Sequence, residues 1–142
     1  MMKFPAALLA CVLAAPAWAD CKGLKVTDAW IPQAPPNAPV LAGYAKLSND
    51  GGEPLRIEGV SGADFGSVEL HRMSMENGMM QMRPLGALEL PAHGGVVLAD
   101  GGKHLMLMDP RRPFKAGDSS TLNFRCGKEQ TPVPFTVREA AP

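Results

Sequence analysis

Three histidines and seven methionines follow residue 20, and all ten fall between His71 and Met108. Methionine is ordinarily an adaptable core filler, and scattered methionines need no explanation. Clustering with histidine does. In "KHLMLM" (103–108), His104, Met106 and Met108 alternate with Leu105 and Leu107. Alternate side chains of a strand point to opposite faces. A strand here sends two leucines one way and an imidazole with two thioethers the other. The same pattern recurs at 67–75, where His71, Met73 and Met75 share a side opposite Val68 and Leu70, and at 79–82, where Met80 and Met82 share one.

Such donors select a metal by softness. Thioether sulfur favours Cu(I), and imidazole suits copper and zinc alike. Zinc sites draw on Cys, His and carboxylate, and calcium and magnesium take oxygen. A mixed His/Met set without a thiolate or a carboxylate therefore points to copper, chiefly Cu(I).

The elements that must position these residues read as short strands. Candidates are 24–30, 40–48, 55–60, 67–73, 86–90, 95–99, 103–108, 119–125 and 133–137. A hairpin is predicted over "MENGMMQMR" (75–83), with Asn77-Gly78 as its turn. "IPQAPPNAP" (31–39) reads as an extended loop. Helical periodicity is scarce; the loops at 61–66 and 110–116 have room for a short helix. Many short strands parted by turn signals predict one all-β domain, a Greek-key sandwich or barrel.

"MMKFPAALLACVLAAPAWA" carries Lys3, an apolar run and the triplet Ala17-Trp18-Ala19. This is the layout of a secretory signal peptide over 1–19, cleaved after Ala19. Its apolar run falls short of the ~20 residues that span a bilayer. The expected mature domain is 20–142, periplasmic and not inserted in the membrane. The chain balances 14 Lys and Arg against 14 Asp and Glu. Without Lys3 it tips slightly acidic, and it has no basic block, which argues against nucleic acid as a partner. Cys11 leaves with the leader. Cys21 and Cys126 remain near the two ends, and in an oxidising compartment they are expected to form a disulfide joining the first and last strands.

The spacing adds a specific signal. Ten residues separate His71 from Met82, 21 separate Met82 from His104, and one separates His104 from Met106. This resembles the metal-binding signature of the PCu(A)C family of periplasmic copper chaperones. The surroundings "ELHRM", "MMQMRPL", "GGKHLMLM", "RPFKAGD" and "DAWIPQAPPNAPVLAGYAKLSN" match as well. The resemblance implies a cupredoxin-like β fold and the Cu(I) ligands His71, Met82, His104 and Met106. It implies a metallochaperone that serves the copper centres of cytochrome c oxidase, CuA or related sites; a monomer is expected. Its partner would be a copper-accepting oxidase subunit or an assembly factor. Some members handle Cu(II) through a His- and Met-rich tail; "TVREAAP" is no such tail, so a second, tail-borne site is not expected. Met73, Met75, Met79, Met80, Met108 and His93 are auxiliary candidates whose ordinary role is packing or loop.

Other functions fit less well. A copper storage or resistance buffer would use the same site. A blue-copper electron carrier needs a Cys thiolate shortly before the second His, and Cys126 follows every His. An oxidative enzyme chelating copper with an N-terminal His would need His where Asp20 stands. No hydrolase triad is in evidence either, so the chain is not expected to be an enzyme.

Overall fold

The computed structural model describes residues 21–140 and Met2. The rest of the leader assigned to 1–19, its cleavage after Ala19, and Asp20 lie outside the described residues. Eleven strands follow in chain order: β1 (Leu24–Pro32), β2 (Val40–Asn49), β3 (Leu55–Ile57), β4 (Gly59–Ser61), β5 (Phe65–Glu76), β6 (Met79–Pro84), β7 (Leu88–Leu90), β8 (Gly95–Leu98), β9 (His104–Pro110), β10 (Ser119–Cys126) and β11 (Glu129–Arg138). Seven close into a barrel in the order β1-β11-β10-β4-β5-β9-β2, with β2 pairing back to β1. The β1–β11 contact is parallel and the others in the ring are antiparallel. Closure leaves these strands without a free sheet edge. β6 is added outside β5, β8 runs beside β2, and β3 with β7 forms a small separate sheet.

The expected all-β, cupredoxin-like architecture is therefore present. Three local readings are corrected. The stretch 55–60 breaks at Glu58 into β3 and β4, because its amide bonds the Arg125 carbonyl of β10 while β3 turns to β7. No helix forms among the described residues; 61–66 and 110–116 are turn, bend and strand ends. The disulfide Cys21–Cys126 is made, with Cα atoms 5.7 Å apart. It ties the segment before β1 to the end of β10, the penultimate strand, because β11 follows at Glu129.

The core follows the alternation. Leu41 and Leu47 of β2, Leu70 of β5, Leu105 and Leu107 of β9, Leu122 and Phe124 of β10, and Phe135 and Val137 of β11 are all buried. Each fully buried leucine contributes about 2–3 kcal/mol. Leu105 and Leu107, with no exposed surface, therefore hold β9 in place. Truncating either to alanine would cost about 2–5 kcal/mol.

The disulfide closes a loop with a sequence separation of 105 residues, and in the chain-entropy model it contributes ~4–5 kcal/mol. Reduction, or Cys21→Ser with Cys126→Ser, is expected to lower the melting temperature by about 10 °C or more. The native circular-dichroism spectrum should persist below the transition. An unchanged melting temperature on reduction would contradict this role.

Candidate metal centre

β6, β5 and β9 are neighbours in that order. The three strands whose faces carry His or Met thus lie side by side on the outer surface of one sheet. On β9, Leu105 and Leu107 are buried inward, and His104, Met106 and Met108 take the other face. On β5, Leu70 goes into the core and His71 faces outward. The β5–β6 hairpin turns at Asn77 and Gly78, with φ of 52° and 77°. Both values belong to a type I′ turn, which this dipeptide favours and which matches strand twist.

Register brings the residues together. His71 sits directly opposite His104, and Leu70 opposite Leu105. Met106 faces Glu69 on β5, two residues from His71. Met82 faces Met73, two residues from the position where Pro84 opposes His71. Met82 and Met106 are therefore both diagonal neighbours of His71, on opposite sides. Such neighbours lie roughly 7–8 Å apart, within reach of long side chains. Met82 is about half exposed and Met106 is half-buried. His93 is not brought in; it lies in the β7–β8 loop, where its amide bonds the carbonyl of Gly51. Met108 is one pleat beyond Met106, opposite Ser67 and Val40.

The two rings are 6.1 Å apart, centre to centre, and inclined at 39°. With metal–nitrogen bonds of about 2 Å, two imidazoles sharing one ion have ring centres roughly 5–6.5 Å apart. The observed spacing falls within that range.

Hydrogen bonding sets which nitrogen each ring offers. His104 is buried, and its Nδ1 lies 2.9 Å from the carbonyl oxygen of Gly102. A carbonyl only accepts, so Nδ1–H donates and Nε2 keeps its lone pair. The turn before β9 makes this contact: Gly101, at φ 78°, lets the chain fold back, and the Ala99 amide bonds the Lys103 carbonyl. His71 is arranged the other way. Its Nε2 is 2.8 Å from a carboxylate oxygen of Glu69, so Nε2–H donates. Its Nδ1 is buried and has no hydrogen-bond partner. An unsatisfied buried polar atom costs about 1–3 kcal/mol, and a bound cation would satisfy it. Carboxylates and carbonyls that orient histidine in this way are the usual outer layer of a metal site.

Glu69 is the residue that sequence reasoning passed over. It lies two positions before His71 on the same strand face, and that spacing is the signal that could have found it. Among the described residues no group of three His, Cys, Asp or Glu could hold a metal ion. A cleft of about 480 Å³ lined by Trp30, Tyr44, Val97 and Asp100 contains none of these His or Met residues.

Fold and outer face together define a cupredoxin-like β-barrel domain with a His/Met surface cluster. The family described as "Putative lipoprotein LpqE-like" matches residues 24–137. The chain belongs to this family, which is the PCuAC family. A curated relative, "Putative lipoprotein Lxx21020" of Leifsonia xyli subsp. xyli, is 30% identical over 120 residues, 82% of this chain and 70% of that protein. Among solved structures, apo-DR1885 from Deinococcus radiodurans is 26% identical with a TM-score of 0.67, over 99% of this chain and 90% of that one. Its CuI form is 26% identical with a TM-score of 0.64, over 95% and 87%. The copper-bound PCuAC domain from PmoF2 has a TM-score of 0.71 over 87% and 99%; at 21% identity it speaks for the fold alone.

The hydrogen bonds predict opposite tautomers for the two rings. At mildly alkaline pH, long-range ¹⁵N–¹H spectra of the metal-free protein should show His104 protonated at Nδ1 and His71 at Nε2. Finding His71 protonated at Nδ1 would contradict the assignment.

Proposed function

We propose that this protein is a periplasmic Cu(I) metallochaperone that holds one copper ion with His71, Met82, His104 and Met106. The observation that carries the reading is the buried, unpartnered Nδ1 of His71 beside a second ring whose Nε2 is free. Membership of the PCuAC family and the CuI form of DR1885 support copper as the cargo. The lipoprotein names of the family and of the curated relative support export. The proposal keeps a leader over 1–19, read from the sequence as cleaved after Ala19, and a copper-binding domain over 20–142.

The four donors suit transfer. Thioether and neutral imidazole carry no charge and, unlike thiolate, need not lose a proton to bind. His104 is buried and Met82 about half exposed, so a partner's ligands can enter at Met82 and displace the donors one at a time. A blue-copper centre would need a thiolate, and Cys21 and Cys126 are joined to each other. The copper acceptor that the family resemblance suggests is the CuA or a related centre of cytochrome c oxidase, reached through an oxidase subunit or an assembly factor.

Competition titration with a Cu(I) chelator tests the reading. One tight equivalent is expected, with Zn(II) held far more weakly. Met106→Ala should lose affinity by several kcal/mol. Met108→Ala, one pleat away, should lose about 1 kcal/mol. Both should stay folded on Leu105 and Leu107. Retention of zinc as strong as that of copper would overturn the metal, and equal damage from the two variants would overturn the ligand set.

A further inference from the structure

The remaining methionines of the hairpin form a pattern of their own. β9 begins at His104, opposite His71, so beyond that point β5 pairs with β6 alone. Residues 72–83 are a two-stranded ribbon projecting past the β9 end. Its consecutive facing pairs on the His71 side are Met73 with Met82 and Met75 with Met80. The opposite side carries Arg72, Ser74 and Glu76 against Arg83, Gln81 and Met79, and an ion pair between Arg83 and Glu76 pins it.

Core filling does not explain these side chains. Met75 is 65% exposed, Met80 52% and Met82 45%, and Met73 is half-buried outside the core. What an exposed row of thioethers offers is soft, neutral sulfur. Opposed Cβ atoms on a ribbon are about 4.5–5.5 Å apart, and diagonal ones remain within reach of long side chains. Three sulfurs from two successive pairs can therefore converge on one ion, and thioether donors select Cu(I).

We propose that Met73, Met75 and Met80 form a second, weaker Cu(I) site on the ribbon, linked to the histidine pair through Met82. The inference rests on the reading of His71, Met82, His104 and Met106 as the tight site. Copper captured at the ribbon passes inward by ligand exchange. Met82 takes hold of the ion, the sulfurs of Met73, Met75 and Met80 let go, and Nδ1 of His71, Nε2 of His104 and the sulfur of Met106 bind. The ion stays Cu(I) throughout and no electron moves; each metal–sulfur bond that breaks is replaced by a new metal–donor bond. The absence of an imidazole at the ribbon makes it the weaker site and gives the exchange its direction.

The test follows methionine methyl resonances in ¹³C-methyl-labelled protein during Cu(I) titration against a chelator. Wild type is compared with Met75→Leu/Met80→Leu and with His71→Ala/His104→Ala. In wild type the first equivalent should shift Met82 and Met106, and a second, weaker one should shift Met73, Met75 and Met80. The leucine variant keeps side-chain volume at exposed positions. It should retain the first equivalent at unchanged affinity and lose the second. The histidine variant should lose the tight equivalent and still shift the ribbon methyls. Wild type that takes up one equivalent only, or a second equivalent indifferent to the leucine substitutions, overturns the ribbon site and leaves the tight site standing. A first equivalent that moves neither Met82 nor Met106 overturns the tight-site reading instead.

Discussion

Leu70 and Leu105 oppose each other inside the barrel, and His71 opposes His104 directly outside it. The two pairings are one register seen from its two faces. Side chains alternate with a period of two, so a slip of one residue between β5 and β9 would break both pairings. It would drive an imidazole into a core built of Leu41, Leu107, Phe124 and Phe135, where it would lack a hydrogen-bond partner. The hydrophobic core thus sets the distance between the two rings. No contact between the imidazoles themselves is required.

Once the rings are placed, backbone and carboxylate decide how they present their lone pairs. The Gly102 carbonyl turns His104 to offer Nε2, and Glu69 turns His71 to offer Nδ1. These partners lie on different elements, the tight turn before β9 and the outer face of β5, so the nitrogens are oriented independently. In the proposed site the methionines would contribute reach where the histidines contribute position. Met82 and Met106 approach from opposite diagonals, and a flexible thioether closes a distance that a short, rigid ligand could not. The proposed site therefore needs an exact register only at its histidine pair.

Much of this was legible in the sequence. The alternation in "KHLMLM" separates the core face of β9 from the outer face, and Asn77-Gly78 marks the hairpin turn with both residues at positive φ. Other features were not legible, for physical reasons. Glu69 looks like any exposed strand carboxylate until its contact with His71 is known. The break at Glu58 depends on a hydrogen bond to Arg125, 67 residues away, and no local propensity encodes it. The place of Cys126 on β10 follows from a last strand that begins with "EQTPVP" (129–134), a stretch whose two prolines suggest less strand than the structure contains. The adjacency of β6, β5 and β9 is a property of the closed barrel. Alternation gives the faces of single strands and cannot order them.

X-ray absorption at the copper edge of the protein loaded with one equivalent of Cu(I) tests the central claim most directly. The account predicts a Cu(I) edge and a mixed shell of two imidazole nitrogens and two thioether sulfurs. The imidazole scattering should fall by half in His71→Ala and the sulfur shell by half in Met106→Ala. A shell of oxygen and nitrogen without sulfur, or one that the His71 substitution leaves unchanged, would contradict it.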